Sequence, residues 1–356
     1  MVSMTIRAVC LVLGLSVFTP AAQMRFTVSR DGDIFRLKDA QSGMTVSMVG
    51  PMCNAYEVSV NGQQLIRQTF ADVAGFRARP GLNGIPLLAP FANRLDEQAF
   101  YANGQRYAFD MTLGNVRGQI PIHGFLSGVQ EWAIVDARTE AAAAWVSCRL
   151  DFSAHPQWMK QFPFAHTMLL TYRLSADGLE VRFRIDNQSV DPMPVSIGFH
   201  PYFQLTDSPR DDWSLSVGAR AHYKLAPNKI PTGETEPIEQ LFPDPKNVAL
   251  KDFELDDVFG DLVRDANGRA SVVLRGKSQR LEVQLGPNYR SVVLYAPRPR
   301  AGADPERRGN GYVAIEPMAG ITDSMNLAQK GLYKELQSIP PGGKWTESFW
   351  IRVSGY

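Results

Sequence analysis

The feature that most constrains the fold is a hairpin pattern near the middle of the chain. Residues 169–174 and 179–185 alternate between apolar and polar side chains, and Ser175-Ala-Asp-Gly178 joins them. A period of two is typical of strands that bury one face, and Asp-Gly supplies the positive φ of a tight turn. The pattern predicts an antiparallel β-hairpin and favours an all-β fold.

Similar segments recur along most of the chain. A second hairpin is predicted from 270–275 and 280–285, and further strands are predicted at 44–48, 56–60, 145–150, 292–295, 312–315 and 346–353. Only 323–336 has a helical pattern, so the alternation of strands and helices that marks a parallel sheet is missing. We predict a large antiparallel β-sandwich with surface loops at 205–215, 225–250 and 299–310.

The first 22 residues have the features of an export signal. Arg7 precedes the apolar run 8–18, and small residues at 19–22 precede Gln23. We therefore predict a signal peptide over 1–22, a single domain over 23–356, and a periplasmic or secreted location. No other segment has the roughly 18 consecutive apolar residues of a membrane-spanning helix, so we expect no membrane contact after signal removal.

Charge and cysteine content limit the partners. The formal net charge of +1 leaves no positive surplus for binding nucleic acid, so a small neutral ligand is the expected partner. Cys10 falls within the predicted signal, and Cys53 and Cys148 lack the spacing of a metal or redox site. We expect these two to be packing residues, with one disulfide between them as the alternative.

Polar residues interrupt apolar, strand-like surroundings at a few places. They are Asn93-Arg94, His123-Gly124, Gly198-Phe-His-Pro-Tyr-Phe203 and Glu316. Burying such groups is costly unless they have partners or a function. Glu316 follows the predicted strand 312–315 and precedes Pro317, so we expect the chain to leave or bend the sheet there.

The combination of His200 with Glu316 suits proton transfer, because an imidazole can give and take protons beside a carboxylate. Structural interpretations stay open for the other groups. Arg94 could brace a loop through backbone carbonyls, and a lone histidine such as His123 is more often a packed core residue. We interpret the remaining histidines as structural; they are His155, His166 and His222.

In order and rough spacing, these motifs resemble those of the aldose 1-epimerase (galactose mutarotase) family. The matching segments are 84–94, His123-Gly124, 198–203 and 315–320, followed by Asp323 and Asn326. The resemblance implies a galactose mutarotase-like supersandwich and a reaction without metal or other cofactor. It also implies that Glu316 takes the proton of an aldose C1 hydroxyl while His200 protonates the ring oxygen, so that the ring opens and recloses as the other anomer.

The resemblance implies binding roles for the remaining candidates. Arg94 and His123 would hold sugar oxygens, and Asn93 would support the binding loop. The family's substrate-binding aspartate would correspond to Asp257, with Asp256 as its rival. On local sequence alone, both aspartates could equally belong to an acidic surface loop.

Two departures from the family pattern bear on the substrate. Met318 stands where many relatives carry an aromatic residue, so a stacking contact would be missing or supplied by Tyr202 or Tyr295. Leu126-Ser127 stand where relatives acting on hexose 6-phosphates tend to carry an arginine. The expected substrate is therefore a free aldohexose. A hexose-6-phosphate 1-epimerase and a non-catalytic carbohydrate-binding protein of the same fold are the alternatives.

Overall fold

The computed structural model describes Met1 and residues 24–298 and 311–356. The predicted signal peptide 1–22, apart from Met1, and the predicted loop 299–310 lie outside the described residues. Strands predominate in the described part of the chain, which confirms the all-β prediction. No helix among these residues is both long and apolar enough to cross a lipid bilayer.

Strands follow one another along the chain with few helices between them. The first group is β1 (Phe26–Asp31), β2 (Ile34–Asp39), β3 (Met44–Val49), β4 (Asn54–Val60), β5 (Gln63–Gln64), β6 (Leu87–Leu88), β7 (Ala99–Ala102), β8 (Gln105–Ala108), β9 (Asn115–Arg117) and β10 (Ile120–Ile122). The second is β11 (Ala133–Thr139), β12 (Ala143–Asp151), β13 (His166–Ser175), β14 (Gly178–Asn187), β15 (Met193–Val195), β16 (Gly198–Phe199), β17 (Tyr202–Phe203), β18 (Ser214–Val217), β19 (Ala219–Leu225) and β20 (Pro231–Pro237). The third is β21 (Val248–Ala249), β22 (Leu255–Leu262), β23 (Ala270–Arg275), β24 (Arg280–Leu285), β25 (Ser291–Ala296), β26 (Val313–Met318), β27 (Gln337–Ile339) and β28 (Lys344–Ser354).

Most strands lie in three antiparallel sheets. The strand orders are β1-β2-β3-β4-β5, β11-β12-β13-β14-β28-β24-β23-β18-β21, and β20-β19-β22-β25-β26-β16-β6 with β17 also paired to β26. Val58 of β4, Phe183 of β14 and Leu294 of β25 belong to one continuous buried core. The three sheets therefore share their apolar faces, as a layered sandwich requires.

Both predicted hairpins are confirmed. β13 and β14 pair through to Ser175 opposite Gly178, and β23 and β24 have the bounds that the sequence predicted. Gly178 has φ +98°, and a Cβ there would lie 2.4 Å from the carbonyl oxygen of Ile351. Glycine is therefore required both by the turn and by the neighbouring β28.

The helix prediction was only partly right. α3 (Ser324–Gln329) covers the first part of 323–336 and ends before Gly331, whose φ of +74° is incompatible with a continuing helix. α1 (Val73–Ala78) and α2 (Pro156–Gln161) were not predicted. Each is too short to show a hydrophobic period in the sequence.

Two predicted surface loops contain regular structure. β20 and β21 lie within 225–250, and β20 is an edge strand whose side chains are mostly exposed or half-buried, so its sequence shows no apolar alternation. Within 205–215, Arg210 is 1% exposed and donates hydrogen bonds to the carbonyl oxygens of Leu250, Phe253 and Ala296. This segment therefore holds the fold together rather than lying outside it.

A disulfide joins Cys53 and Cys148, whose Cα atoms are 6.0 Å apart. Cys53 directly precedes β4, and Cys148 lies in β12. The bridge therefore ties the five-stranded sheet to the nine-stranded sheet. The alternative that the sequence left open is the one found, and the packing-only interpretation was wrong.

Candidate active site

Glu316 lies within β26, where it is registered opposite Val293 of β25. β26 continues to Met318, so the chain does not leave the sheet here, which was one of the two outcomes expected from the sequence. β17 pairs with Ala314 and β16 with Met318, so the positions between them have no paired residue on that side. A proline such as Pro317 is tolerated where the hydrogen-bonded ladder is interrupted.

Asn93 and His123 both have a left-handed backbone, with φ of +58° and +63°. The Asn93 N–H donates to Nδ1 of His123 at 3.2 Å, and the His123 N–H donates to the Asn93 carbonyl oxygen at 2.9 Å. Gly124 follows, and a Cβ there would lie 2.1 Å from the carbonyl oxygen of Ala89. Such strained residues persist only where the surroundings hold them, and they cluster at functional sites.

His123 is buried, and its electrostatic surroundings keep it uncharged. Burial, the neighbouring His200 and the positive charge of Arg94 all lower the pKa of His123 well below its usual value. Because Nδ1 accepts the hydrogen bond from Asn93, the proton of the neutral ring resides on Nε2. His123 can therefore act as a neutral hydrogen-bond donor.

His200 and Glu316 form a buried pair, with Nε2 of the imidazole 3.0 Å from Oε1 of the carboxyl group. Burial lowers the pKa of His200 to about 3. Burial and the charge of Asp256 raise the pKa of Glu316 well above its usual value. Near neutral pH the pair therefore holds one proton and no net charge. The other polar atoms, His200 Nδ1 and Glu316 Oε2, have no hydrogen-bond partner among the described residues.

Arg94 is 7% exposed and is fixed by two neighbours. Its Nη1 donates to Oδ1 of Asn93 at 2.9 Å, and its Nη2 donates to Oδ2 of Asp256 at 3.2 Å. The sequence left open whether Arg94 braces a loop through backbone carbonyls. The structure instead pairs it with a carboxylate and a side-chain amide.

Of the two adjacent aspartates, the structure brings Asp256 to the site and not Asp257, which the resemblance favoured. Successive side chains of a strand point to opposite faces of the sheet. Asp256 of β22 meets Arg94, whereas Asp257 accepts a hydrogen bond from Nε2 of His222 at 3.1 Å. The Asp257 side chain therefore lies on the face of the sheet that points away from the cavity.

The candidate residues surround one cavity of about 360 Å³. Its lining includes the sequence candidates Asn93, Arg94, His123, His200, Asp256 and Glu316. The remaining lining residues are Gly81, Leu82, Asn115, Val116, Arg117, Ile122, Tyr202 and Tyr295. A cavity of this size is within the range of small-molecule sites.

Several lining residues were not assigned to the site from sequence. Tyr295, which the sequence offered only as an alternative stacking residue, lies directly opposite Asp256 in the register of β25 with β22, which places both on one face. That register is not readable from either strand alone. Arg117 belongs to β9, whose three residues are all exposed, so its sequence looks like an ordinary surface segment.

The aromatic contact that Met318 was expected to lack is available from other residues. Met318 is 1% exposed and packs against Gly198, where an added Cβ would lie 2.6 Å from its Sδ atom. Met318 is not among the cavity residues, but Tyr202 and Tyr295 are. The Tyr202 ring lies 4.6 Å from that of His200.

The family model described as aldose 1-epimerase matches residues 34–352. This chain belongs to the aldose 1-epimerase family. Among the residues that the structure describes, no group of three or more His, Cys, Asp or Glu side chains is arranged to hold a metal ion.

Solved structures support the fold of this aldose 1-epimerase family member. A galactose mutarotase-like protein from Clostridium acetobutylicum has a TM-score of 0.77 and 21% identity, covering 93% of this chain and 98% of its own. Galactose 1-epimerase from Lactobacillus acidophilus has a TM-score of 0.70 and 16% identity, covering 92% and 98%. An aldose epimerase homologue from C. elegans has a TM-score of 0.69 and 16% identity, covering 88% and 97%. These likenesses confirm the galactose mutarotase-like fold.

Proposed function

We propose that the protein interconverts the α and β anomers of a free aldohexose, with Glu316 as general base and His200 as general acid. The observation that carries the proposal is the buried pair itself, with Nε2 of His200 3.0 Å from Oε1 of Glu316. The lowered pKa of His200 and the raised pKa of Glu316 are consistent with one proton on the pair. Moving that proton from the carboxyl to the imidazole produces a carboxylate and an imidazolium 3.0 Å apart. These are the base and the acid that the reaction needs.

When the sugar binds, the hydrogen bond between His200 and Glu316 is replaced by two contacts, one from each residue to a sugar oxygen. The C1 hydroxyl oxygen and the ring oxygen are both bonded to C1, so they can meet neighbouring groups together. Glu316 takes the hydroxyl proton, and the electron pair of the broken O–H bond forms the second C1–O bond of the aldehyde. The bond from C1 to the ring oxygen breaks, and its electrons stay on the ring oxygen. The ring oxygen takes its proton from Nε2 of His200. Rotation about C1–C2 and the reverse steps give the other anomer.

The other cavity residues bind and orient the sugar in this proposal. His123 donates a hydrogen bond from Nε2 to a sugar oxygen. Arg94 and Asp256 present a donor and an acceptor to neighbouring hydroxyls, and Asn93 holds Arg94 in place. Tyr202 supplies an aromatic surface beside the catalytic pair.

A free sugar is favoured over a sugar phosphate. The positive charge of Arg94 is already compensated by Asp256. The remaining arginine of the described lining is Arg117, on an exposed strand. We also propose that the protein acts after export from the cytoplasm, an assignment supported by the disulfide between Cys53 and Cys148.

Polarimetry of freshly dissolved α-glucose and α-galactose tests the proposal. The purified protein should accelerate the change in optical rotation, and Glu316→Gln and His200→Ala should each reduce kcat by about 10²- to 10⁴-fold. His155→Gln is the matched control, because His155 also contacts a carboxylate, that of Glu131, but is not a cavity residue.

The possible outcomes separate the alternatives. Normal rates in both active-site variants would refute the assigned roles. Acceleration with glucose 6-phosphate alone would identify a hexose-6-phosphate 1-epimerase. Sugar binding by calorimetry without any acceleration would identify a carbohydrate-binding protein of the same fold.

A further inference from the structure

His222 lies behind the cavity, between two carboxylates from neighbouring strands. Its Nδ1 is 2.9 Å from Oε1 of Glu236 in β20, and its Nε2 is 3.1 Å from Oδ1 of Asp257 in β22. The His222 ring also packs against Phe259, with ring centroids 5.4 Å apart. The residue is 8% exposed, so these contacts are shielded from solvent.

A chain of hydrogen bonds runs from His222 through the sheet to the cavity. Asp257 accepts from His222 with one oxygen, and its other oxygen accepts from the backbone N–H of Asp256 at 3.0 Å. The Asp256 side chain points the opposite way and binds Arg94 at 3.2 Å. Arg94 in turn binds Asn93. The hydrogen bond from His222 to Asp257 thus fixes β22 at Asp256, whose side chain faces the cavity.

We propose that His222 is a positioning residue: by holding Asp257 from behind, it fixes β22 at Asp256 and so orients the Asp256–Arg94 pair toward the sugar hydroxyls. This role rests on the proposed function, since the pair matters only if a sugar binds there. His222 touches neither the cavity nor the catalytic pair. Its effect therefore falls mainly on substrate binding, because His200 and Glu316 feel His222 only through the charge of Asp256, which acts on Glu316 less than burial does.

The charges around His222 make its hold dependent on pH. Glu236 faces it from β20 and Asp257 from β22, while Lys229 in the turn between β19 and β20 acts on Asp257. The short turn Ile238–Gln240 that packs on β19 carries Glu239, which is exposed. Burial lowers the pKa of His222, but the hydrogen bonds to Asp257 and Glu236 outweigh burial and raise it above 6.5.

Only a doubly protonated imidazole can donate to both carboxylates. His222 therefore donates to both carboxylates at pH values below its raised pKa, and it can no longer donate to both as the pH rises through that pKa. A neutral ring leaves one of the two carboxylates facing a lone pair. The proposal assigns the one remaining proton to Nδ1, which faces Glu236, so that Asp257 loses its donor and no longer fixes Asp256.

The test compares steady-state kinetics for galactose at about pH 6 to 9 in the wild type, His222→Gln, Glu236→Gln and His155→Gln. His222→Gln should raise KM about three- to ten-fold, the equivalent of one weakened hydrogen bond, with kcat changed less than about two-fold. The wild-type KM should rise with pH. Glu236→Gln should move that rise to lower pH, and His222→Gln should abolish it. His155→Gln should behave as the wild type.

A second measurement keeps this proposal separate from the proposed function. The backbone amide NMR signal of Asp256 should shift as His222 titrates in the wild type and not in His222→Gln, whether or not any sugar is turned over. An unshifted Asp256 signal, or an unchanged KM in active His222→Gln, overturns the positioning role. A wild type that accelerates no aldose refutes the proposed function alone, and the Asp256 signal then decides about His222.

Discussion

At the scale of single residues, the proposed catalytic pair is an example of how burial can prepare an acid and a base without separate charges. His200 and Glu316 are both almost completely buried, and an isolated charge on either would be costly. Their contact lets one proton serve both, so the resting pair is neutral. The charge separation needed for the reaction arises only when the proton moves, in a cavity where Arg94 and Asp256 already compensate each other.

The pair predicts an unusual pH profile on the acid side. Falling pH adds a second proton to the pair and removes the base, but with the His200 pKa at about 3 this happens only at low pH. In His222→Gln, which removes the pH dependence of KM assigned to His222, we expect kcat/KM to change less than about two-fold between about pH 7 and pH 5, after subtraction of the spontaneous rate. Polarimetry across this range is the measurement. A decline centred near 6.5, the ordinary value for histidine, would contradict the assignment.

Much of the site could be predicted at this scale, because costly polar residues stand out in apolar strands. His200, Glu316, Asn93 and Arg94 were reached in this way and surround the same cavity. The choice between Asp256 and Asp257 could not be made, because it depends on which face of β22 meets the cavity. Because both adjacent residues are aspartates, the sequence does not show which of the two side chains points to the cavity face of the strand.

At the scale of elements, the sequence predicted strands correctly where one face of the strand is buried. Strands with one buried face, such as β13, β14, β23 and β24, have an alternating sequence and were found close to their true bounds. The edge strand β20 has no such face and was missed. Short helices such as α1 are held by local capping, here an Asp72 side chain that accepts from the Gly75 N–H at 2.7 Å.

The close backbone approach at Gly124 allows a prediction about the stability of a backbone segment rather than about one side chain. Gly124→Ala should lower the free energy of unfolding by about 1–3 kcal/mol or more, because the new methyl group meets the Ala89 carbonyl in a left-handed backbone. It should also raise KM, since His123 adjoins it. Urea denaturation and polarimetry are the measurements.

Gly118→Ala is the matched control for this substitution. Gly118 has a similar φ of +65° but nothing within 4 Å of an added Cβ, so it isolates backbone strain from steric clash. Equal losses of stability in the two variants would show that the approach of Gly124 to Ala89 does not matter.

At the scale of the whole molecule, the sandwich could be predicted because antiparallel strands dominate the sequence, whereas its strand order could not. The nine-stranded sheet places β28, near the end of the chain, between β14 and β24. The pairing of β28 with β14 joins residues more than a hundred positions apart and has no local signal. The disulfide between Cys53 and Cys148 likewise joins distant residues, so the sequence offered it only as an alternative.

The disulfide should contribute measurably to the stability of the whole fold. Replacing both cysteines by alanine should lower the free energy of unfolding by about 2–5 kcal/mol, because the bridge closes a long loop in the unfolded chain. Denaturant midpoints with and without reductant measure the effect. Reductant should destabilise the wild type and leave the double variant unchanged. A non-reducing peptide map without a linked pair of Cys53 and Cys148 peptides would refute the bridge.

The hydrogen-bond chain behind the sheet also matters for directed evolution. Positions 222, 236 and 257 are linked to Asp256 by hydrogen bonds and contribute no atom to the cavity lining, so under the proposed positioning role they act on Asp256 from outside the cavity. A library randomised at these positions would sample sugar affinity while every group that meets the ligand stays the same. A library at the cavity residues changes affinity and chemistry together. The two faces of β22 thus offer separate starting points for selection.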